Sequence, residues 1–204
     1  MSFTQNAWNI FNESIADYHD KDHVDAPMPE RYDKASLEHL LYAKNWIDTV
    51  QWHLEDLIRD EDIAAEEALT LKRRIDASNQ QRTDLVEYID SWFLQKYQNV
   101  NPSENARVNT ETPAWAVDRF SILALKVYHM QLEAERESAT DEHRIKCREK
   151  LDVLLEQQKD LSTSIEQLLA DIENGSVRMK TYKQMKMYND ESLNPVLYQK
   201  SKNV

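Results

Sequence analysis

Arg82 lies in the middle of an apolar helical face, so its charge needs a partner inside the protein. At about 100° per residue its side chain projects on the same side as Val86 and Ile89, with Ser78 and Asn79 beside it. An unpaired buried charge costs several kcal/mol. Arg82 therefore requires either an internal carboxylate, which fixes the register of the helices, or an anionic ligand.

A second group of polar residues lies on a segment that is otherwise apolar from Ala114 to Leu132. On a helical wheel they share an arc of roughly 100°; they are Trp115, Asp118, Arg119, Lys126 and His129. The arc is either the solvent-facing edge of the helix or a face turned toward Arg82. In the second case Asp118 pairs with Arg82, and the remaining cationic side chains are left to hold a phosphate or carboxylate group.

Metal ligands form a weaker pattern. His53 and Glu55 lie on opposite borders of one apolar helical face, and Asp56 points away from that face. One helix cannot aim these three side chains at a single ion, whose ligands must converge. We therefore predict no metal site. The weak metal candidates are His53, Asp56, Asp84 and Glu87. A magnesium-dependent hydrolase would use Glu55, Asp56, Asp84 and Glu87, and Glu55 is also a candidate for the polar site with Arg82.

Two further features are interpreted as structural. His19, Asp20, Asp22 and His23 combine metal-ligand types at close spacing, but they fall in a predicted linker and are interpreted as solvated surface. The single cysteine, Cys147, lies on an apolar helical seam, where a packed thiol is expected rather than a nucleophile.

The composition predicts the elements that must position these residues. One glycine and five prolines in 204 residues leave little material for tight turns or phosphate-binding loops. With 30% charged and 41% hydrophobic residues, the chain suits amphipathic helices. We predict a single all-α domain, a bundle of about five helices. Its parts are an N-terminal helix 1–18, a linker 19–35, core helices 36–137, a long helix 141–174 and an extended basic tail 176–204.

The long helix carries apolar residues at alternating spacings of four and three from Cys147 to Ile172, broken by Gln158. This heptad pattern predicts an antiparallel coiled-coil hairpin with the preceding helix, and it offers a surface for a homodimer. The basic tail is expected to dock on the acidic remainder of the chain.

The net charge of −12 disfavours binding to nucleic acid and to anionic membrane surfaces. The first residues do not form a signal peptide, and no stretch approaches the ~20 apolar residues that span a bilayer. A lone cysteine fits a reducing compartment. We therefore expect a cytoplasmic protein that binds neither nucleic acid nor membranes.

Four segments in order resemble a bacterial family catalogued as domain of unknown function forty-two fifty-four. They are W-H-L-E-D-L-I-R (52–59), R-R-I-D-A-S-N-Q-Q-R-T-D-L-V-E (73–87), N-T-E-T-P-A-W-A-V-D-R-F-S-I-L (109–123) and M-Y-N-D-E-S-L-N-P-V-L-Y (187–198). The resemblance covers nearly the whole chain and implies a stand-alone cytoplasmic protein, but no established activity. Its segments contain Glu55, Arg82, Asp118 and Arg119.

These patterns favour a binding or interaction protein with an inter-helix polar site for an anionic small molecule. The alternative is an enzyme of unknown reaction, first of all a metal-dependent hydrolase of nucleotides or phosphate esters. No cofactor is predicted, except magnesium under that alternative. The sequence leaves open whether the protein is an enzyme.

Overall fold

The computed structural model describes residues 1–184, 187, 190 and 192–200. Over these residues the chain forms six helices and one pair of two-residue parallel strands, which confirms the predicted all-α bundle. The helices are α1 Phe3–Lys21, α2 Leu37–Leu57, α3 Ala65–Lys96, α4 Pro113–Glu135, α5 Asp141–Glu173 and α6 Pro195–Lys200. The strands are β1 Arg107–Val108 and β2 Val177–Arg178. In the described part, no helix is both long and apolar enough to cross a membrane.

Side-chain caps explain where three of the helices begin. The hydroxyl oxygens of Ser36, Thr112 and Thr140 each accept a hydrogen bond from a backbone N–H three residues later, at 3.1–3.3 Å. Pro113 occupies the first helical position of α4, where it loses no hydrogen bond. The predicted helix starts at Ser36 and Thr112–Pro113 are therefore confirmed.

One apolar core is shared by the five long helices. It includes Phe11 of α1, Leu41 of α2, Phe93 of α3, Phe120 of α4 and Ile165 of α5, each at most 1% exposed. Helix α2 packs against α1, α3 and α4, and none of its residues from Leu41 to Gln51 is fully exposed. Polar residues in that stretch must therefore find partners inside the protein.

Helices α4 and α5 form an antiparallel hairpin. Close to their connection His143 Nε2 lies 2.8 Å from Glu133 Oε2. Farther from it, Leu161 of α5 lines the same groove as Leu123 of α4. The seam residues Cys147, Ile165 and Ile172 are buried, as the heptad pattern requires. The supercoil that this pattern predicts stays a prediction.

Helix α1 continues three residues beyond its predicted end. Asp22 caps its C-terminus in the left-handed backbone region, with φ 47°, and donates its N–H to the Tyr18 carbonyl at 2.8 Å. The extension places His19, interpreted above as linker surface, on a half-buried helical face. That interpretation of His19 was wrong, because the helix supplies the scaffold it was thought to lack.

Two residues in the C-terminal part of the chain determine where helices end or begin. Gly175, just past α5, has φ 78°, and a Cβ there would lie 3.0 Å from the Asn101 carbonyl oxygen. This is the helix-terminating glycine expected after Ile172. The ending predicted to be extended contains the short helix α6 instead, where Asn194 Oδ1 accepts the Val196 N–H at 3.0 Å.

The start of α4 is attached to α3 through a buried carboxyl group. Thr112 Oγ1 donates to Asp90 Oδ2 at 3.0 Å, and Asp90 is only 6% exposed. Burial raises the pKa of Asp90 from 3.8 to about 6, although the hydrogen bond from Thr112 opposes the shift. The folded state therefore holds this proton more tightly than the unfolded chain does.

We predict that Asp90→Asn changes how stability depends on pH. In the parent, the contribution of Asp90 to stability is greatest while its carboxyl group is protonated, and it is lost as the pH rises from about 4 to about 6. The variant lacks this loss, which is about 3 kcal/mol. Urea unfolding between pH 4 and 7 measures it, with Asp152→Asn on the exposed face of α5 as control. Parallel pH profiles for parent and Asp90→Asn would contradict the assignment.

Candidate functional site

The middle of α2 carries a set of polar side chains inside the core. Lys44, Asn45 and Asp48 are at most 2% exposed. They follow Leu41 on the helix and precede Leu54, both buried, so they lie where an amphipathic helix normally continues its apolar stripe. Burial without partners would be costly, so the surrounding helices must supply them.

Asp48 receives donors from three helices. Its Oδ2 accepts from Lys44 Nζ, one turn earlier on α2, and from Ser121 Oγ of α4 at 2.7 Å. Its Oδ1 accepts from Arg82 Nε of α3 at 2.5 Å. The hydroxyl of Ser121 is held in turn by Asn45 Nδ2 at 3.0 Å. The carboxylate therefore fixes the relative positions of α2, α3 and α4.

A second carboxylate completes the arrangement. Asp118 Oδ1 lies 2.8 Å from Lys44 Nζ and 3.5 Å from Arg82 Nη2. The pairing of Arg82 with Asp118 that the sequence suggested is thus present in the structure. We call Lys44, Asp48, Arg82 and Asp118 the charge network. With all four groups ionised, its two positive and two negative charges cancel.

The network is closed on the α2 side and open on the other. Lys44 and Asp48 have fully enclosed side chains, whereas those of Arg82 and Asp118 are 22% and 17% exposed. Burial disfavours the charged guanidinium of Arg82, but the neighbouring Asp48 and Asp118 raise its pKa above the ordinary value. Arg82 therefore stays charged where the network meets solvent.

A cleft of about 400 Å³ opens at this edge of the network. Its lining combines charged, amide, hydroxyl and apolar groups from α3, α4 and the segment after β2. These residues are Asn79, Arg82, Thr83, Val86, Trp115, Asp118 and Gln184. Asn79 Oδ1 accepts from Arg82 Nη1 at 3.3 Å. Four of the predicted site residues, Asn79, Arg82, Trp115 and Asp118, therefore border one cleft.

The other cationic residues of α4 do not reach Arg82, which corrects the expectation that they converge. Arg119 points about 100° away from Asp118 around the helix. Its side chain is 67% exposed and pairs with Glu111 at 3.0 Å. Arg119 and Lys126 line a groove between α4 and α5 instead. His129 shares the face of Asp118, but it lies eleven residues, about 16 Å, farther along α4.

Two more predicted residues also lie elsewhere. Ser78 is buried and borders a different, mostly apolar groove between α2 and α3. Glu55 pairs with Arg59 at 3.3 Å near the end of α2. Neither side chain lines the cleft beside Arg82.

The weak magnesium candidates have separate partners. His53 Nδ1 lies 4.0 Å from Asp56 Oδ2 on α2. On α3, Asp84 accepts from Gln80 Nε2 at 2.8 Å, and Glu87 accepts from the backbone N–H of Gln184 at 3.3 Å. Within the described ranges, the group of possible ligands close enough to share an ion consists of His19, His53 and His129, and it includes no carboxylate.

Lys44 and Asp48 were not among the site residues predicted from the sequence. A signal was present, because Leu37, Leu41, Lys44, Asp48 and Gln51 follow one another at spacings of four and three. A lysine and an aspartate four residues apart usually form a solvent-exposed pair, which hides their burial. A buried pair can be distinguished from an exposed one only by the packing of α2 against three other helices.

Fold and site together define a helical-bundle protein with a neutral, buried charge network beneath a small polar cleft. The sequence model of a family described as protein of unknown function (DUF4254) matches residues 38–181. Since this is more than half of the chain, the protein belongs to that family. The search of curated proteins and that of solved structures found no match. All four network residues lie in the matched region, whereas His19 precedes it.

We predict that Lys44→Met destabilises the protein by about 3–5 kcal/mol, because Asp48 and Asp118 lose a buried countercharge. Lys72→Met is the matched control. Lys72 also pairs with an aspartate four residues later, but that pair is exposed, and its loss should cost less than about 1 kcal/mol. Urea unfolding at pH 7 measures both. Equal losses would show that the buried network contributes no more than a surface pair.

Proposed function

We propose that this protein binds a small zwitterion, carrying a carboxylate and an ammonium group, in the cleft beside Arg82. The observation that carries the proposal is the pair of opposite charges, Arg82 and Asp118, that borders one small cleft. A volume of about 400 Å³ lies in the range of small-molecule sites.

Charge balance favours a zwitterion over the anion suggested by the sequence. Arg82 is already neutralised by Asp48 and Asp118, and Arg119 is directed to Glu111. A phosphate in the cleft would lie near the carboxylate of Asp118 without a surplus cation, and like charges repel each other. A carboxylate accompanied by its own ammonium group avoids this penalty.

The cleft offers a partner for each end of such a ligand. The ligand carboxylate can accept from the terminal nitrogens of Arg82, a donor arrangement that suits carboxylates. The contacts of Asp118 with Lys44 and Arg82 both use Oδ1, and Oδ2 is the acceptor for the ammonium group. Trp115 and Val86 supply an apolar surface for the part between the two charges.

Binding is favoured over the hydrolase alternative. The described residues bring no set of carboxylates together for magnesium, so that alternative gains no support. We also propose a cytoplasmic location, because a single cysteine fits a reducing compartment.

A homodimer through α5 is also part of this proposal. Ile145 and Val153 of this helix are each 56% exposed, which supports an apolar contact surface there. Light scattering at micromolar concentration measures the mass, and a monomer would count against the dimer.

The binding prediction is tested by thermal unfolding and calorimetry with a panel of α-amino acids and betaines. Acetate, methylammonium and inorganic phosphate serve as controls, because each carries charge of one sign only. At least one zwitterion should raise the Tm at concentrations where the three controls do not, since only a zwitterion satisfies Arg82 and Asp118 together. Tighter binding of phosphate than of every zwitterion would contradict the proposed charge complementarity.

Variants locate the binding. Asp118→Asn and Trp115→Leu should each weaken the zwitterion by at least about tenfold, the effect of losing one interaction of about 1.4 kcal/mol. Arg119→Met, one residue away but outside the cleft, should leave the affinity unchanged. If Arg119→Met weakens binding while Trp115→Leu does not, the ligand occupies the groove between α4 and α5 instead.

A further inference from the structure

Three histidines from three helices meet away from the charge network. His19 lies in the last turn of α1, His53 near the end of α2, and His129 in the second half of α4. One ring nitrogen of each lies within 4.8 Å of the others. These residues are separated by 34 and 76 positions in the sequence, so only the packing of α1, α2 and α4 brings them together.

The closest pair has the spacing of two ligands on one ion. His19 Nε2 and His53 Nε2 are 3.3 Å apart. Two nitrogens bound at 2.0–2.1 Å to a tetrahedral zinc ion are separated by about 3.3–3.4 Å. An ion can therefore enter between these rings with little movement of the helices.

The Nδ1 atoms of His19 and His53 lie near acceptor oxygens on their own helices. His19 Nδ1 lies 2.7 Å from the Ile15 carbonyl oxygen, which must accept a hydrogen bond, so the lone pair of His19 is on Nε2. His53 Nδ1 lies 4.0 Å from Asp56 Oδ2. A histidine ligand commonly directs its second nitrogen to a carbonyl or carboxylate group, as His19 does here.

His129 provides the observation that points to a ligand. Its Nε2 is buried and has no hydrogen-bond partner among the residues that the structure describes. A buried polar atom without a partner costs free energy. A hydrogen bond between His19 and His53 satisfies those two rings and leaves His129 unsatisfied, whereas a bound ion satisfies all three.

Aromatic rings hold two of the histidines in place. Tyr18 stacks on His53 with ring centres 5.0 Å apart, and Trp52 stacks on His129 at 4.7 Å. Their interplanar angles are 11° and 7°. The rings are thereby prevented from turning away from one another, which preorganises the site.

We propose that His19, His53 and His129 bind one divalent transition-metal ion of the zinc class. Three imidazole nitrogens suit zinc, nickel, cobalt or copper, whereas magnesium and calcium prefer oxygen ligands. The carboxylate of Asp22, three residues after His19, acts electrostatically on both His53 and His129 and helps to balance the charge of the ion. This proposal replaces the sequence-based expectation of no metal.

Three protein ligands leave a fourth position for water or another ligand. The ion also joins α1, which precedes the matched family region, to α2 and α4 within it. The proposal is independent of the cleft beside Arg82, since none of the three histidines lines that cleft.

The test uses the full chain, freed of metal by chelation, and zinc chloride as the probe. Calorimetry should show one ion bound with a Kd below about 1 μM, the affinity expected of a preorganised site. At a free zinc concentration of 100 times Kd, the Tm should rise by about 5–10 °C. Binding weaker than about 100 μM would overturn the proposal.

Single His→Gln variants at positions 19, 53 and 129 should each weaken zinc at least about tenfold, because each removes one of three ligands. His23→Gln is the matched control, since His23 is exposed and four residues from His19. Zinc affinity that is unchanged in all three variants would place the ion elsewhere, for example at His143 and Cys147, and would refute this assignment.

A measurement on the parent protein tests the site even if the variants do not fold. X-ray absorption at the zinc edge counts the imidazole ligands directly. Three imidazoles at 2.0–2.1 Å, together with one oxygen, are expected. A spectrum with sulfur, or with fewer than three imidazoles, would overturn the three-histidine site.

Discussion

The carboxylate of Asp48 has no solvent access, and its ionised form is satisfied only when three helices stand in one arrangement. Lys44 reaches it from its own helix, Arg82 from α3 and Ser121 from α4. An apolar core tolerates small shifts between helices, because dispersion has little directionality. Hydrogen bonds to a buried carboxylate do not, since each lost donor leaves an uncompensated charge. The network therefore specifies the packing register, whatever its net contribution to stability.

The same constraint gives the cleft its chemical character. Lys44 holds Asp118 and Asp48 holds Arg82 from the enclosed side, so the two partly exposed groups are kept 3.5 Å apart at the edge of the cleft. They meet the cleft as an immobilised pair of opposite charges. A preorganised pair of this kind loses little conformational entropy when a ligand binds. The neutrality of the charge network is also what disfavours a purely anionic ligand.

The sequence predicted features that depend on a single helix. These are helix starts marked by capping residues, and a charged residue that interrupts an apolar face. Helix starts at Ser36 and Thr112 followed from capping side chains, and Arg82 was found because a charge interrupts an apolar stripe. Lys44 and Asp48 were missed because they satisfy each other within α2. Their burial depends on how many helices surround α2, and the spacing of residues along one chain does not contain that information.

The three histidines show how a small error in an element boundary conceals a site. The predicted end of α1 at Tyr18 placed His19 in a linker. The position of a side chain relative to other helices cannot be predicted for a linker residue. The helix in fact ends at Lys21, because Asp22 adopts a left-handed backbone that caps it. On α2, His53 follows Asp48 by five residues, which turns it about 140° around the axis. One helix can thus contribute to the charge network on one face and to the proposed histidine site on another.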